Sequence, residues 1–223
     1  MLLHLPRLLD RQQVRTLLDI AERNPYQDGR ETAGERLKEV KHVDQLRPSP
    51  QDTRTIQNIV MGALGARNEF EDFAFPKGML IPRISRYGEG MGYGAHFDSF
   101  VMGSEHPIRT DLSMTLYLSE PGDYDGGELV LETPYGEEEI KLPAGDAVVY
   151  ATTVKHRVDT VTRGARVVIL TWFQSLIRDP VQRDLLHELT LARKEVRDKL
   201  PDSDAAASLL KLNNALLRAW GET

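Results

Sequence analysis

The chain has 223 residues, 40% of them hydrophobic, and it carries a formal net charge of −6 with no cysteine. A chain of this length can bury a core of its own, so folding requires neither disulfides nor a structural metal. The lack of cysteine excludes thiolate metal sites and cysteine nucleophiles, and the negative charge argues against nucleic acid as a partner.

The hydrophobic residues are dispersed along the chain. The apolar run at Leu2 and Leu3 is too short for a signal peptide, because polar and charged residues follow it closely. No stretch approaches the ~20 apolar residues that a membrane-spanning helix requires. These features predict a cytoplasmic protein with no membrane partner.

The first part of the chain has helical periodicity. Apolar residues recur at the spacing of one helix face between Asp10, which is suited to an N-cap, and Arg23. A second helix is predicted from about Asp52 to Asn68, with a polar and mostly irregular stretch before it. We expect residues 1–76 to form an N-terminal helical region that packs on the core.

The middle of the chain changes to short β-prone runs separated by Gly, Pro and Asp. Eight short strands at this spacing favour an antiparallel sandwich or barrel over a parallel sheet. Residues 77–176 are therefore expected to form the core domain. The predicted strands are 79–87, 93–98, 111–119, 128–132, 137–141, 146–150, 156–161 and 166–174.

The end of the chain, residues 177–223, returns to a helical pattern after Pro180. Two amphipathic helices are predicted, separated by Pro201 and Asp202. They should form a helical hairpin that packs on the core or on a second subunit, which makes a homo-oligomer through this extension a prediction. Their expected apolar stripes are Leu185, Leu189, Ala192 and Val196, and then Leu209, Leu212, Leu216 and Trp220.

The main chemical signal is His96-Phe97-Asp98, followed much later by His156. Residues two apart on a strand point to the same face, so an imidazole and a carboxylate would lie side by side. With His156 they would complete a two-histidine, one-carboxylate set, which leaves positions open on a ferrous ion. His-x-Asp alone is a weak pattern, since strand histidines are more often ordinary polar residues.

Arg166 begins an apolar strand ten residues after His156. In one interpretation it lies at the rim of the barrel, solvated or paired with a surface acid. In the other it points inward, where its guanidinium would bind a dicarboxylate cosubstrate through two hydrogen bonds. Trp172 lies on the same strand face and would then form a wall of that pocket.

The strand 111–119 alternates strictly between apolar and polar residues. Its polar face contains Ser113, Thr115 and Tyr117, and such a face is usually exposed to solvent. In a barrel with a ligand cavity it would instead line the cavity. Tyr117 could then donate a hydrogen bond to the carboxylate that Arg166 binds.

Three segments together resemble the prolyl-4-hydroxylase-type branch of the iron(II)/2-oxoglutarate dioxygenases, and the bacterial PKHD-type hydroxylases within it. The resemblance covers nearly the whole chain and is strongest from Met79 to Gln174. The segments are Tyr87-Gly-Glu-Gly-Met-Gly-Tyr-Gly-Ala-His96-Phe-Asp98, Asp125-Gly-Gly-Glu-Leu129 and His156-Arg-Val-Asp-Thr-Val-Thr-Arg-Gly-Ala-Arg166.

The resemblance implies an α+β fold with a double-stranded β-helix (jelly-roll) core. It also implies Fe(II), 2-oxoglutarate and O₂, with L-ascorbate as a reductant. It assigns His96, Asp98 and His156 as iron ligands, and it places Arg166, Tyr117, Tyr87 and Trp172 around the cosubstrate.

The implied reaction is hydroxylation of a small-molecule or peptide substrate, with 2-oxoglutarate converted to succinate and CO₂. Fold analogy does not identify that substrate. Another interpretation is a cupin-like module that binds iron or 2-oxoglutarate as a sensor without turnover. The complete ligand set together with Arg166 favours catalysis.

Overall fold

The computed structural model describes residues 2–32, 38–104 and 106–222. None of the helices in these ranges combines the length and the hydrophobicity that a membrane-spanning segment requires. The α-helices of these residues are Arg11–Arg23 (α1), Pro50–Gly65 (α2), Asn68–Ala74 (α3), Pro180–Lys199 (α4) and Asp204–Trp220 (α5).

The strands form a large and a small antiparallel sheet. The large sheet contains Leu2–Leu5 (β1), Tyr26–Asp28 (β2), Asp44–Leu46 (β4), Pro76–Met79 (β5), Arg83–Tyr87 (β6), Leu112–Tyr117 (β10), Ala147–Ala151 (β14) and Arg166–Ser175 (β17). The small sheet contains Lys41–His42 (β3), Gly92–His96 (β7), Leu129–Thr133 (β12), Gly136–Ile140 (β13) and His156–Val158 (β15). Two short ribbons pair Val101–Met102 (β8) with Ile108–Arg109 (β9), and Tyr124–Asp125 (β11) with Arg163–Gly164 (β16).

The order of strands in the sheets is β1-β14-β10-β17-β6-β4-β2, with β5 beside one end of β17, and β13-β12-β15-β7-β3. The described neighbours in both sheets run antiparallel. The α+β class and the jelly-roll core are thus confirmed.

The large sheet separates two cores. One core lies between this sheet and α1, α2 and α3, and the other lies between the two sheets. Strand β10 shows why: Leu112 and Met114 join the helix-side core, whereas Ser113 and Thr115 alternate with them and are only 3% and 1% exposed. The polar face of this strand therefore lines the space between the sheets, as the cavity interpretation requires.

The N-terminal helices are close to their predicted positions. Helix α1 begins after Asp10, whose carboxylate accepts from Gln13 N while Gln13 Oε1 accepts from Asp10 N, a capping box. Helix α2 begins at Pro50, two residues before the predicted start, and ends at Gly65. The predicted helix to Asn68 was too long, because Arg67 is extended (φ −116°, ψ 97°) and a separate helix α3 follows it.

The predicted strand 79–87 is two strands, β5 and β6. Pro82 lies between them and has no N–H for a ladder hydrogen bond. Both strands pair with β17, at Met79↔Phe173 and at Arg83↔Leu170. Strands β5 and β6 together therefore pair with β17 along most of its length.

The N-terminal strands β1, β2 and β4 were missed by the sequence analysis. Each has three or four residues, too few for a period-2 pattern to be recognised. Strand β1 exists because it pairs with β14, a strand more than 140 residues away at Leu3↔Val149. Long-range pairing, rather than local preference, makes these segments strands.

The C-terminal helices form the expected hairpin, but the buried face of α4 differs from the predicted apolar stripe. Helix α4 buries Arg183, Leu186 and Thr190, while Leu185 is 56% exposed. The buried polar groups are bonded, since Arg183 Nη1 donates to Ile177 O at 3.3 Å and Thr190 Oγ1 donates to Asn213 Oδ1 at 3.1 Å. Hydrogen bonds, not hydrophobicity alone, set which face is buried.

Asp52 joins the end of α1 to the start of α2. Its carboxylate accepts hydrogen bonds from the Arg23 guanidinium, from Asn24 Nδ2 at 2.9 Å and from Ser49 Oγ at 3.1 Å. The hydrogen bond from Arg23, followed by that from Asn24, lowers the pKa of Asp52 to about 2. The ionised carboxylate therefore ties two helices of the core together.

We expect Asp52→Asn to lower the thermal unfolding midpoint at neutral pH, because the amide removes the charged acceptor for Arg23. Since folding lowers the pKa of Asp52 from 3.8, its stabilisation is complete above that value and is lost as the pH falls towards about 2. Thermal unfolding of wild type and variant across this range measures both effects. Glu188→Gln, an exposed change on α4, is the control; an Asp52→Asn effect as large at pH 2 as at neutral pH would contradict this role.

Candidate metal and cosubstrate site

His96 and His156 lie opposite each other on neighbouring strands of the small sheet. They are Cα partners in the antiparallel pairing of β7 with β15. Their ring centroids are 4.4 Å apart, and each residue is at most 7% exposed. The register of two strands thus brings together imidazoles that are 60 positions apart in the sequence.

The two imidazoles have the same tautomer. His96 Nδ1 lies 2.8 Å from Gly94 O, and His156 Nδ1 lies 3.0 Å from Val154 O. A carbonyl oxygen only accepts, so each Nδ1 carries the proton and each Nε2 presents a lone pair. Such backbone contacts orient metal-ligating histidines in proteins generally.

Asp98 completes the cluster from outside the strand. The predicted strand 93–98 was too long: β7 ends at His96, because β15 begins at its partner His156 and offers nothing further to pair. Asp98 is instead held by Ser113 Oγ of the large sheet, which donates to Asp98 Oδ2 at 2.6 Å. Its carboxylate oxygens lie 3.9 Å from His96 Nε2 and 3.8 Å from His156 Nε2.

The three side chains converge on one point. Their ligand atoms all lie within 4.8 Å of one another. Burial, followed by the electrostatic effect of the neighbouring His156, lowers the pKa of His96 to about 4. His96 is therefore neutral near pH 7 and has its lone pair available.

Aromatic rings enclose the two histidines. The Tyr93 ring stacks on His96 with centroids 3.7 Å apart and an interplanar angle of 20°. The Tyr150 ring meets His156 edge-on at 5.2 Å. These contacts fix the imidazole planes and exclude water from their flanks.

A cavity of about 300 Å³ opens between the sheets beside this cluster. That volume is at the lower end of the range of small-molecule sites, ~300–1,000 Å³. The triad lies on the small-sheet side, and Arg166, Tyr87 and Trp172 are also in the lining. The structure therefore brings six of the seven predicted site residues to one cavity.

Arg166 is the largest fully buried side chain, at 1% exposure. None of its three guanidinium nitrogens has a hydrogen-bond partner among the described residues. Its Cζ lies 5.0 Å from the centroid of the Tyr87 ring and 5.3 Å from that of Tyr117. Aromatic faces stabilise a cation but leave its N–H groups unsatisfied.

The tyrosines around Arg166 do not neutralise it. Burial raises the pKa of Tyr87, Tyr117 and Tyr124, the last to about 12, and the positive charge of Arg166 opposes this only in part. All three phenols are thus uncharged near neutral pH. A buried, unpaired guanidinium is costly, which marks this place as a receptor for an anion.

Tyr117 lies behind Arg166 and is absent from the cavity lining. Its hydroxyl donates to Ile140 O at 3.0 Å. The expected donation to a bound carboxylate would require that this hydrogen bond be exchanged. Tyr87 lies directly beside Arg166 as its Cα partner on β6.

Gly127 has no side chain and so leaves room for the side chain of Arg166. Its φ is +69°, and a Cβ here would lie 3.2 Å from Arg166 Cδ, 3.1 Å from Tyr124 Cε2 and 2.9 Å from Val161 Cγ2. A side chain at this position would therefore push against both Arg166 and its aromatic neighbour. This explains the second glycine of the Asp125-Gly-Gly-Glu-Leu129 segment.

Several residues of the site have no recognisable signature in the sequence. Ser113 and Thr115 were identified only as part of a polar face, and Tyr124, Tyr93 and Tyr150 were not assigned any role. The available signal was weak, since a tyrosine on a β-strand is ordinary core material. Their roles depend on contacts between segments far apart in the chain.

Comparisons with known proteins agree with this geometry. Residues 82–174 match the model of the 2OG-Fe(II) oxygenase superfamily. A PKHD-type hydroxylase of Paracoccus denitrificans is 40% identical over 227 residues, covering 100% of both chains.

Two solved structures share the fold. A Pseudomonas putida prolyl-4-hydroxylase has a TM-score of 0.54 at 22% identity, covering 78% of this chain and 92% of that one. A prolyl hydroxylase from Trichoplax adhaerens, in complex with a hypoxia inducible factor oxygen degradation domain peptide fragment, has a TM-score of 0.57 at 14% identity. It covers 77% of this chain and 82% of its own.

The jelly-roll core, the triad and the cavity agree with the 2OG-Fe(II) oxygenase superfamily that the family model identifies. By full-length identity to its members, the chain belongs to the PKHD-type hydroxylases of the 2OG-Fe(II) oxygenase superfamily. It is therefore a 2-oxoglutarate-dependent dioxygenase, and the resemblance drawn from the sequence is confirmed.

The residues present fit the cofactors of this family. Two imidazole nitrogens and one carboxylate oxygen are a donor set suited to non-haem iron(II) with open positions. The unsatisfied guanidinium of Arg166 fits the carboxylate of a dicarboxylic cosubstrate.

We expect His96→Ala, Asp98→Ala and His156→Ala each to weaken metal binding by at least about 100-fold, since changes to outer-shell residues alone cost roughly 10–100-fold. Calorimetric titration of the protein with Mn(II), a redox-stable substitute for iron(II), measures the affinity without relying on activity. His42→Ala, which removes an exposed histidine on β3, is the matched control. Unchanged Mn(II) affinity in a triad variant would refute the ligand set.

Proposed function

We propose that this protein hydroxylates a peptide side chain, an amino acid or a small iron-related metabolite, with conversion of 2-oxoglutarate to succinate and CO₂. One observation carries the proposal. A cluster of three metal-ligating groups shares a cavity with a buried cation that has no counter-ion among the described residues.

In this proposal His96, Asp98 and His156 hold iron(II) through two Nε2 atoms and a carboxylate oxygen. Ser113 positions the carboxylate of Asp98, and backbone carbonyls position both rings. When bound, iron(II) and 2-oxoglutarate supply the oxidation, in which one atom of O₂ enters succinate and the other enters the substrate as a hydroxyl group.

Arg166 would bind the carboxylate of 2-oxoglutarate that is remote from the keto acid. Its five N–H donors match a carboxylate in a bidentate geometry, and the surrounding low-polarity wall strengthens the attraction. The Tyr87 ring lies against the guanidinium, and Trp172 forms part of the wall farther along β17. Burial of this pair keeps water from competing for the cosubstrate.

The exposed aromatic side chains at the rim of the cavity favour a substrate that is larger than the cosubstrate. Phe97 lines the cavity and is 57% exposed, and nearby Phe100 is 82% exposed. Exposed aromatic side chains beside a cavity are typical of recognition surfaces. The Trichoplax adhaerens structure holds a peptide fragment, which favours a peptide among the candidate substrates.

Several further properties stay predictions from the sequence. These are a cytoplasmic location, L-ascorbate as reductant, no nucleic-acid partner, and the division at residues 76/77 and 176/177. Association of two copies through the C-terminal helices is supported by apolar side chains exposed on them: Val181, Leu185, Leu191, Leu210 and Leu212.

We expect Arg166→Ala to raise the dissociation constant of 2-oxoglutarate about 100-fold while metal affinity is retained. Hydrogen bonds to charged groups contribute ~1.5–3 kcal/mol each, and 1.4 kcal/mol corresponds to a factor of ten. Titration of the Mn(II)-loaded protein with 2-oxoglutarate in a calorimeter measures this constant.

Arg163→Ala is the matched control for that experiment. Arg163 lies three residues earlier, is exposed and pairs with Asp125 at 2.7 Å. Its removal should leave the affinity for 2-oxoglutarate unchanged. Equal affinities in the wild type and in Arg166→Ala would show that the cosubstrate carboxylate binds elsewhere.

A further inference from the structure

Two more cationic side chains, Lys41 and Arg83, line the cavity beside the triad and Arg166. They belong to opposite sheets, Lys41 to β3 of the small sheet and Arg83 to β6 of the large sheet. Neither is needed by the triad or by the cosubstrate in the function proposed above. They add positive charge to the cavity wall beyond that of Arg166.

Arg83 lies at the opposite end of β6 from the cosubstrate pocket. Arg83 and Tyr87 occupy the same face of β6, four residues apart, which corresponds to roughly 13 Å along the strand. Tyr87 is the Cα partner of Arg166, whereas Arg83 is the Cα partner of Leu170. The cavity thus has a deep cationic end at Arg166 and a second one near its opening.

Lys41 reaches the cavity from the small sheet. Lys41 is the Cα partner of Tyr93, the residue that stacks on His96, and its Nζ lies 5.5 Å from the Tyr93 ring centroid. The ammonium group is therefore close to the metal cluster. Lys41 as a whole is only 8% exposed.

The two cations influence each other. Burial, followed by the positive charge of Arg83, lowers the pKa of Lys41 to about 8. Among the described residues that line the cavity, Asp98 is the only acidic one, and its carboxylate belongs to the triad. Arg83 forms no ion pair with any residue that the structure describes.

An unsatisfied donor lies on the same wall. The indole Nε1 of Trp172 is buried and has no hydrogen-bond partner in the described part of the chain. Trp172 is two residues beyond Leu170, the partner of Arg83, and is itself the Cα partner of Ser113, which binds Asp98. This donor therefore lies between the second cationic end and the metal cluster.

We propose that the hydroxylated substrate carries a carboxylate or phosphate group, which Arg83 and Lys41 bind at the outer end of the cavity. This inference rests on the proposed function, since it assumes that Arg166 is occupied by 2-oxoglutarate. The anion would be held from both sheets, and the adjoining part of the substrate would reach the metal cluster past Trp172. A neutral analogue of the substrate would lose this anchor and bind weakly.

Three small probes of similar size test the proposal: acetate, methylphosphonate and the neutral acetamide. Each has a methyl group, so paramagnetic broadening of the methyl proton signal reports binding near Mn(II) in the triad. The protein is loaded with Mn(II) and saturated with 2-oxoglutarate before each titration. We expect saturable binding of the anions and none of acetamide; tighter acetate binding assigns a carboxylate, and tighter methylphosphonate binding assigns a phosphate.

Charge-neutral variants locate the anion. Arg83→Gln and Lys41→Gln should each weaken anion binding at least about fivefold, equivalent to ~1 kcal/mol. Arg86→Gln is the matched control, because Arg86 lies on the same strand but faces away and pairs with Asp44 at 2.9 Å. The 2-oxoglutarate affinity should be the same in all three variants, which shows that the fold and the cosubstrate pocket are intact.

The results that would overturn the anion-binding proposal differ from the result that would overturn the proposed function. Absence of saturable anion binding, or equal binding in wild type, Arg83→Gln and Lys41→Gln, overturns the proposal and leaves the proposed function standing. Displacement of 2-oxoglutarate by the anions also overturns it, because the anion then binds at Arg166. Failure of the Mn(II)-loaded wild type to bind 2-oxoglutarate overturns the proposed function itself and the inference with it.

Discussion

The constraint on which the site depends is a guanidinium group that is sealed between two β-sheets with no counter-ion among the described residues. Arg166 is 1% exposed, and the tyrosines around it are kept neutral by burial. Removing an unpaired charge from water is costly, so the fold must provide compensation. The faces of Tyr87 and Tyr117 supply part of it, and a bound carboxylate would supply the rest.

The metal cluster depends on a different set of contacts. Backbone pairing places His96 opposite His156, backbone carbonyls set both tautomers, and a serine from the facing sheet holds Asp98. The large sheet, anchored on the helix-side core, thereby fixes the distance between the cluster and Arg166 and so the length of the cosubstrate that fits.

The sequence predicted the parts of the site that have a local signature. His96, Asp98, His156 and Arg166 stand in recognisable motifs, and the alternation of Ser113 with Leu112 indicated a face that could line a cavity. Tyr124 and Gly127 could not be assigned to Arg166, because their contact crosses about 40 residues of chain. The buried face of α4 was misplaced since Arg183 and Thr190 are satisfied by hydrogen bonds that no hydrophobic periodicity reveals.

The most direct test of the account is anaerobic titration of the iron(II)-loaded protein with 2-oxoglutarate, followed by visible absorption. Chelation of the cosubstrate at the triad gives a weak charge-transfer band, and we expect this band to appear and to saturate at one equivalent of 2-oxoglutarate. Its absence from folded protein with iron(II) bound would contradict the account. The cavity would then be a metal-binding site without the cosubstrate that Arg166 is proposed to hold.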